Sequence, residues 1–204
     1  MLRFASASER GLAMKVWLIR HGTTIQGEER RYQGVLDTSL SEKGRFALRQ
    51  AEHTPQKVYT SALKRTIETA EILFPGVPII TVQNLSEMNF GSFEGRGWWE
   101  MENDPVYRTW VDGGCEGRCP GGEDRMEFSE RVCDAFRSIV RAEKGSGELV
   151  IVAHGGTQMA LLERFGEPQR AYYKWQRPCG CGWLLDWDTE TERLRVLQEI
   201  GYLK

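Results

Sequence analysis

This 204-residue chain has few histidines and cysteines, and neither positive nor negative charge is in large excess. It has three histidines and five cysteines, and its 27 basic and 29 acidic residues leave a formal net charge of −2. Such a small charge argues against the strongly basic surface typical of nucleic-acid-binding proteins. No apolar run approaches the length of a membrane span, so we expect neither a nucleic-acid nor a membrane partner. An anionic ligand must therefore be held by a local cluster of arginine and histidine.

The cysteines are few and odd in number, and no secretory signal precedes them, which predicts reduced thiols in a cytoplasmic protein. Cys115 and Cys119 could combine with Cys179 and Cys181 in a four-thiolate zinc site. Their C-x3-C and C-x-C spacings differ from the usual zinc-knuckle pair, however. We therefore expect inert thiols, no metal and no other cofactor.

Residues 1–13 lack the continuous apolar segment of a signal peptide. We expect them to be an extension outside the domain, either disordered or not native to it. Met14 begins an apolar stretch, and the length of residues 14–204 suits one domain with an inserted lid.

Two short, fully apolar runs are typical of strands buried on both faces of a parallel sheet. They are Val16 to Ile19 and Leu149 to Ala153. Helical spacing alternates with further strand-like runs, which predicts an α/β three-layer sandwich with a mostly parallel central sheet flanked by helices. The predicted helices are 41–52, 63–74, 123–144 and 157–165, the further strands are 57–60 and 79–82, and a terminal hairpin joins 183–187 to 194–197.

Residues 95–122 have no clear period and contain seven glycines, so we expect a lid-like insertion there. Its aromatic residues either stack on a planar base of the substrate or form a small core of their own. Nearby arginines are either solvated or bind a second anionic group. The aromatic residues are Trp98, Trp99, Tyr107 and Trp110, and the arginines are Arg31, Arg96, Arg108 and Arg118.

Two of the three histidines follow buried strands directly, and a glycine follows each of them. These are His21 and His154. Open α/β sheets bind ligands at the carboxyl ends of their strands, and glycine lets the backbone approach a ligand closely. We therefore predict that both histidines belong to one site. His53, followed by Thr54-Pro55, is expected to be structural.

Five motifs, in order along the chain, resemble those of the histidine phosphatase superfamily, whose members include phosphoglycerate mutases. The first contains the Arg-His-Gly triplet. The second comprises the substrate loop and the start of the first helix. The third contains a second arginine, the fourth an acidic residue and the fifth a second histidine. They are Leu18 to Thr24 (LIRHGTT); Gln33-Gly34 with Asp37 to Gly44 (DTSLSEKG); Ser61 to Ala70 (SALKRTIETA); Leu85 to Glu87 with Phe90-Gly91 and Phe93 to Gly95; and Val152 to Gly156 (VAHGG).

The resemblance implies phosphoryl transfer through a phosphohistidine on His21, with Glu87 as the general acid. It also implies an anion pocket of Arg20, Arg65 and His154, since three non-bridging oxygens need fixed donors. Glu94 is the second choice for the acid, although a structural contact in a turn suits it better. The remaining expected substrate contacts are Gly22, Thr23, Thr24, Gln33, Gly34 and Gly155.

The chain departs from the pattern at Thr23, where the family commonly has Gln or Glu, and at Gly27, where it commonly has Asn. The second change removes one donor from the phosphate pocket. The short length resembles the phosphatase branch, and α-ribazole-5'-phosphate phosphatases most of all, so we expect a small phosphorylated metabolite as substrate. A phosphoglycerate mutase, a broad sugar-phosphate phosphatase and a non-catalytic phospho-ligand-binding protein are the alternatives.

Overall fold

Seven strands form one mixed sheet in the computed structural model, which describes residues 14–204. The predicted extension at 1–13 lies outside the described residues. The sheet order is β3-β2-β4-β1-β6-β7-β5, and β6 is antiparallel to both of its neighbours while the other neighbouring strands pair in parallel. The mostly parallel sheet is thus confirmed. The strands are β1 Met14–Arg20, β2 Val58–Thr60, β3 Ile79–Thr81, β4 Glu148–Ala153, β5 Gly166–Glu167, β6 Cys181–Asp188 and β7 Arg193–Gly201.

The helices cover the sheet on both sides and complete three layers. One buried cluster joins β1 and β4 to α5 and α6, and a second joins the opposite faces of the same strands to α3. None of the helices described is long and apolar enough to cross a bilayer. The helices are α1 Ile25–Glu28, α2 Glu42–Ala47, α3 Lys64–Leu73, α4 Pro105–Asp112, α5 Arg125–Ala142 and α6 Gly155–Phe165.

The central strands are apolar throughout because each buries both of its faces. Leu18 of β1 faces the α5–α6 cluster, whereas its neighbour Ile19 faces the α3 cluster. The parallel register places Leu18 beside Ile151 and Arg20 beside Ala153. The two strands therefore end side by side, which brings the residues that follow them into one place.

Helix α2 is shorter than the sequence predicts. Ser41 caps it as expected, with its Oγ accepting from Gly44 N at 2.9 Å, but the helix ends at Ala47 instead of residue 52. The chain then turns to pair with the C-terminal segment, where Arg49 N donates to the Tyr202 carbonyl at 2.9 Å. A tertiary pairing has thus replaced the last predicted turns.

Phe46, in the shortened helix α2, does not join the core. Its side chain is 77% exposed, and the Lys204 Nζ lies 4.5 Å from its ring centroid. Elsewhere the predicted elements differ at their ends, and the structure adds α1 and β5, which the sequence did not predict. Helix α6 begins at Gly155 instead of Thr157, and the predicted terminal hairpin is present but longer at both ends.

The predicted lid segment contains α4, which packs two of its aromatic residues inward. Tyr107 and Trp110 are buried and contact Phe93 edge-on or tilted, at 5.4 and 5.5 Å between ring centroids. Trp98 and Trp99 are exposed. Tyr107 and Trp110 both belong to the main buried cluster, so they do not give the insertion a separate core.

A substitution at Gly182 would test how closely β6 must approach β1 near the end of β1 that leads to His21. A Cβ at this position would lie 2.0 Å from the Leu18 carbonyl oxygen, which is rigid backbone. We expect Gly182→Ala to lower the free energy of unfolding by about 2 kcal/mol or more, measured by urea denaturation. Gly117→Ala, where the nearest atom is 3.9 Å away, should change it by less than about 1 kcal/mol. Equal effects of the two substitutions would contradict the packing argument.

Candidate active site

A cleft of about 560 Å³ opens at the carboxyl ends of β1 and β4. That volume lies in the range of small-molecule sites. Its walls come from the β1 end, the α1 loop, the Glu87 segment, the α6 start, α4 and the segment before β6. The predicted site residues on its wall are Arg20, His21, Thr24, Gln33, Glu87 and Gly155.

His21 is buried at the base of this cleft with a defined tautomer. Its Nδ1 lies 2.6 Å from the Gly22 carbonyl, which can only accept, so Nδ1 carries the proton. Burial, together with the charges of Arg65 and Arg20, holds the pKa of His21 well below its ordinary value. At neutral pH the ring is therefore uncharged, and Nε2 keeps a free lone pair.

Arg20, on the cleft wall, has a hydrogen-bond donor without a partner in the described part of the chain. Its Nη1 donates to the Arg177 carbonyl at 2.7 Å, but its buried Nε has no partner among the described residues. Gly155 lies against the guanidinium, since a Cβ there would be 3.2 Å from the Arg20 Cζ. A buried charged donor without a partner indicates a place for an anionic ligand.

Arg65 is fully buried near His21, and each of its three side-chain nitrogens donates to a protein acceptor. Its Nε donates to His154 Nδ1 at 3.2 Å, Nη1 to the Leu36 carbonyl at 2.7 Å, and Nη2 to the Gly34 carbonyl at 2.6 Å. Burial lowers the pKa of Arg65 to about 10, so it stays charged at neutral pH.

His154 is also fully buried, and both of its ring nitrogens are engaged. Because Arg65 Nε can only donate, His154 Nδ1 must accept, and Nε2 donates to Ser61 Oγ at 2.8 Å. Burial lowers its pKa well below the ordinary value. Its ring centroid is 5.2 Å from that of His21. The structure thus brings His21 and His154 together, as predicted. Arg65 and His154 lie behind the cleft wall, so the contact of these two residues with a substrate stays a prediction.

Glu87 reaches the cleft from the segment after Leu85. Its Oε2 accepts from Gly156 N at 2.8 Å and its Oε1 from Met88 N at 3.0 Å. Burial raises the pKa of Glu87, against the opposing effect of these two hydrogen bonds and of the nearby arginines. The N-terminus of α6 gives its Gly156 N–H to this carboxyl group.

Glu94 has the structural role that suited it best from the sequence. Its carboxylate accepts from the backbone N–H of Gly34 and Val35 at 3.0 Å each, and from Phe90 at 2.9 Å. It therefore holds the substrate loop against the segment that carries Glu87.

The predicted substrate contacts are divided between the cleft and the framework. Thr24 lines the cleft, caps α1 and donates to Gln33 Oε1 at 2.7 Å. Gly22 N donates to Thr69 Oγ1 at 2.9 Å, and the Thr23 carbonyl accepts from Ser41 N at 2.9 Å. These two residues, and buried Gly34, are not on the cleft wall.

Several residues on the cleft wall escaped the sequence reasoning, and most of them lie outside the five motifs. The adjacent pair Tyr172-Tyr173 was the available signal, since two aromatic residues in a polar loop often mark a binding surface. The others gave no signal in the sequence. The unpredicted wall residues include Arg30, Tyr32, Met88, Phe90, Arg125, Met159, Tyr172, Tyr173 and Gln176, with Cys115 and Cys179.

The five cysteines are free thiols. Within residues 14–204 no three His, Cys, Asp or Glu side chains are grouped to hold a metal ion, so the four-cysteine zinc site is not formed. Burial raises the pKa of Cys119 to about 12, which makes its thiol unreactive at neutral pH.

The match with known proteins covers nearly the whole domain. Residues 16–200 fit the family described as "Histidine phosphatase superfamily (branch 1)". The chain belongs to this superfamily. Its members share the α/β fold described above, and the motif resemblance noted in the sequence is thereby confirmed.

Relatives within the superfamily carry both phosphatase and mutase names. A protein of Escherichia fergusonii named "Probable phosphoglycerate mutase GpmB" is 36% identical over 151 residues, 70% of each chain. The crystal structure of the α-ribazole phosphatase from Shigella flexneri is 26% identical, with a TM-score of 0.75 over 90% of this chain and 96% of that one. A phosphoglycerate mutase structure from Thermus thermophilus is 30% identical, with a TM-score of 0.68 over 92% and 99%.

Gly156 tests the placement of the Glu87 carboxyl group in this superfamily member. A Cβ at Gly156 would lie 2.0 Å from Glu87 Oε1, so the carboxyl group must move. We expect Gly156→Ala to fold but to lower kcat for phosphate release by about tenfold to a hundredfold, because small misplacements of a reacting group are costly. Gly117→Ala serves again as the control. Unchanged turnover in Gly156→Ala would show that the position of Glu87 is unimportant.

Proposed function

We propose that the protein is a phosphomonoesterase that transfers the phosphoryl group of a small phosphorylated metabolite to His21 and then to water. The observation that carries the proposal is the neutral imidazole with its free Nε2 beside the unpartnered Nε of Arg20. The imidazole can act as a nucleophile, and the guanidinium can donate a hydrogen bond to an anion. Both residues line one cleft.

In the first step His21 Nε2 attacks phosphorus, the bond to the ester oxygen breaks, and the protonated Glu87 gives its proton to the leaving oxygen. In the second step the Glu87 carboxylate takes a proton from water, water oxygen attacks phosphorus, and the phosphorus–nitrogen bond breaks. Phosphate leaves, and both side chains return to their starting states.

Arg20, and Arg65 behind His21, supply the positive charge that stabilises the transferred phosphoryl group. The steps above need no metal ion or other cofactor. We place the reaction in the cytoplasm, because the five cysteines are free thiols.

Among substrates we favour α-ribazole-5'-phosphate. The cleft wall includes the aromatic rings of Trp98, Phe90, Tyr172 and Tyr173, which suit a planar base. The name of the Shigella flexneri protein agrees with this choice. The name GpmB on the Escherichia relative supports the second candidate, isomerisation of phosphoglycerate, and a broad sugar-phosphate phosphatase is the third.

The central experiment measures phosphate release in the presence of chelator from α-ribazole-5'-phosphate, 3-phosphoglycerate, nucleoside monophosphates and an aryl phosphate. We expect His21→Ala to abolish turnover, because the nucleophile is gone. Mass spectrometry of the quenched wild type should show one added phosphoryl group on His21. His53→Ala is the matched control, since His53 packs between Trp17 and Phe74.

Each other outcome of this experiment has a definite meaning. Activity that survives in His21→Ala would contradict the assignment of the nucleophile. Chelator-sensitive activity would contradict the metal-free steps. Isomerised 3-phosphoglycerate without release would identify a mutase, and binding without turnover would identify a non-catalytic phospho-ligand-binding protein.

Glu87→Gln tests the general acid through leaving group and pH. We expect a loss of about a hundredfold or more on alkyl phosphates and a much smaller loss on an aryl phosphate, whose leaving group needs no proton. Because its pKa is raised, wild-type Glu87 stays protonated to higher pH than an ordinary Glu, and kcat should fall only as pH rises through that pKa. The variant should lack this alkaline limb. Equal losses on both substrates, with an unchanged pH profile, would mean that Glu87 is not the acid.

A further inference from the structure

The arginines on the cleft wall differ in whether their charge is already neutralised. Arg31 pairs with Glu29 and with Glu100, at 2.7 Å each. Arg125 pairs with Glu116 at 2.6 Å. A ligand anion would have to compete with these carboxylates for either guanidinium.

Arg30 lines the same wall and has no carboxylate within ion-pair distance among residues 14–204. No hydrogen bond from its side chain joins it to any of these residues either. Arg20, at the base of the cleft, also lacks a carboxylate partner. Arg20 and Arg30 are thus the two cleft arginines in this region whose charge is uncompensated.

Several donors near His21 are already used by the protein. Arg65 donates to three protein acceptors, Gly22 N to Thr69 Oγ1, and Gly156 N to Glu87. A phosphoryl group has three non-bridging oxygens that need donors. A further arginine on the cleft wall would add donors and positive charge for them.

The backbone of Arg30 is held in a conformation that favours glycine. Its φ is 53°, and its N–H donates to the Gly27 carbonyl at 3.2 Å just after α1 ends. A side chain in this left-handed region costs energy, and such residues are concentrated at functional sites. Arginine is thus an unfavourable residue for this backbone conformation, unless its side chain is needed there.

Gly27 leaves room beside Arg30 on the same wall. A Cβ built there would meet only Thr24 Oγ1, at 3.2 Å, and Thr23 Cγ2, at 3.9 Å. Apart from the adjacent residues and the helix backbone, no further atom of residues 14–204 lies within 4 Å of that Cβ. Arg30 itself is exposed on the cleft wall, so packing does not fix its side chain, which can turn toward a ligand in the cleft.

We propose that Arg30 is a substrate-binding residue whose guanidinium contacts an anionic group of the phosphorylated substrate. The inference rests on the proposed function and deepens it by naming a residue of the substrate site that the superfamily motifs did not include. Anionic oxygens of the transferred phosphoryl group and those of a second acidic group on the substrate share the chemistry that a guanidinium recognises.

The test is steady-state kinetics on Arg30→Gln, Arg30→Lys and the control Arg141→Gln. Arg141 is exposed on α5, away from the cleft, and its substitution makes the same change in net charge. We expect Arg30→Gln to raise KM by about tenfold or more. The dissociation constant for inorganic phosphate, or for a ligand that carries the second acidic group, should rise by a similar factor. Arg30→Lys should recover part of the loss, and Arg141→Gln should match the wild type.

Arg30→Gly separates binding from folding. Because glycine tolerates φ near 53°, this variant should keep or raise the thermal midpoint while KM rises as in Arg30→Gln. A lower midpoint with unchanged KM would assign Arg30 a structural role and overturn the proposal.

Two substrates distinguish the anion. Equal KM increases for an aryl phosphate and for 3-phosphoglycerate would place Arg30 on the transferred phosphoryl group. An increase for 3-phosphoglycerate alone would place it on the carboxylate. No increase for any substrate in Arg30→Gln would overturn the proposal, while loss of turnover in His21→Ala would still uphold the phosphohistidine mechanism.

Discussion

The buried guanidinium of Arg65 is the constraint on which the rest of the site depends. A charge taken out of water destabilises a fold by several kcal/mol unless its donors are matched. Arg65 satisfies its donors with His154 at the end of β4 and with two carbonyls of the loop at 34–36. Helix α3, the central sheet and the substrate loop must therefore keep one relative arrangement, which Glu94 secures from the other side of the loop.

The same burial sets the protonation states on which the chemistry depends. Low solvent access lowers the pKa of His21, and the charges of Arg65 and Arg20 lower it further. For Glu87 the two influences oppose each other, and burial prevails, so its pKa is raised. The surroundings thus shift the pKa values of the histidine and the carboxyl group of one cleft in opposite directions, which favours the neutral form of both side chains.

Much of this arrangement was predictable from local patterns. The apolar runs of β1 and β4 predicted buried parallel strands, and Arg20, His21 and His154 at their ends lie together as expected. Helix α2 was predicted too long, because its last residues pair with the C-terminal segment, a contact between positions about 150 residues apart.

By itself the sequence determined the fold class, the family and the set of polar residues that converge at the strand ends, because these follow from periodicity and from motifs of adjacent residues. Only the tertiary structure decided which of those residues line the cleft and which contact other protein groups. It placed Arg65 and His154 behind the wall, gave Gly156 N–H to Glu87, and left Arg30 without a carboxylate partner among the described residues. Burial and hydrogen-bond saturation depend on atoms that meet from distant segments, and no local pattern records which donors those segments consume.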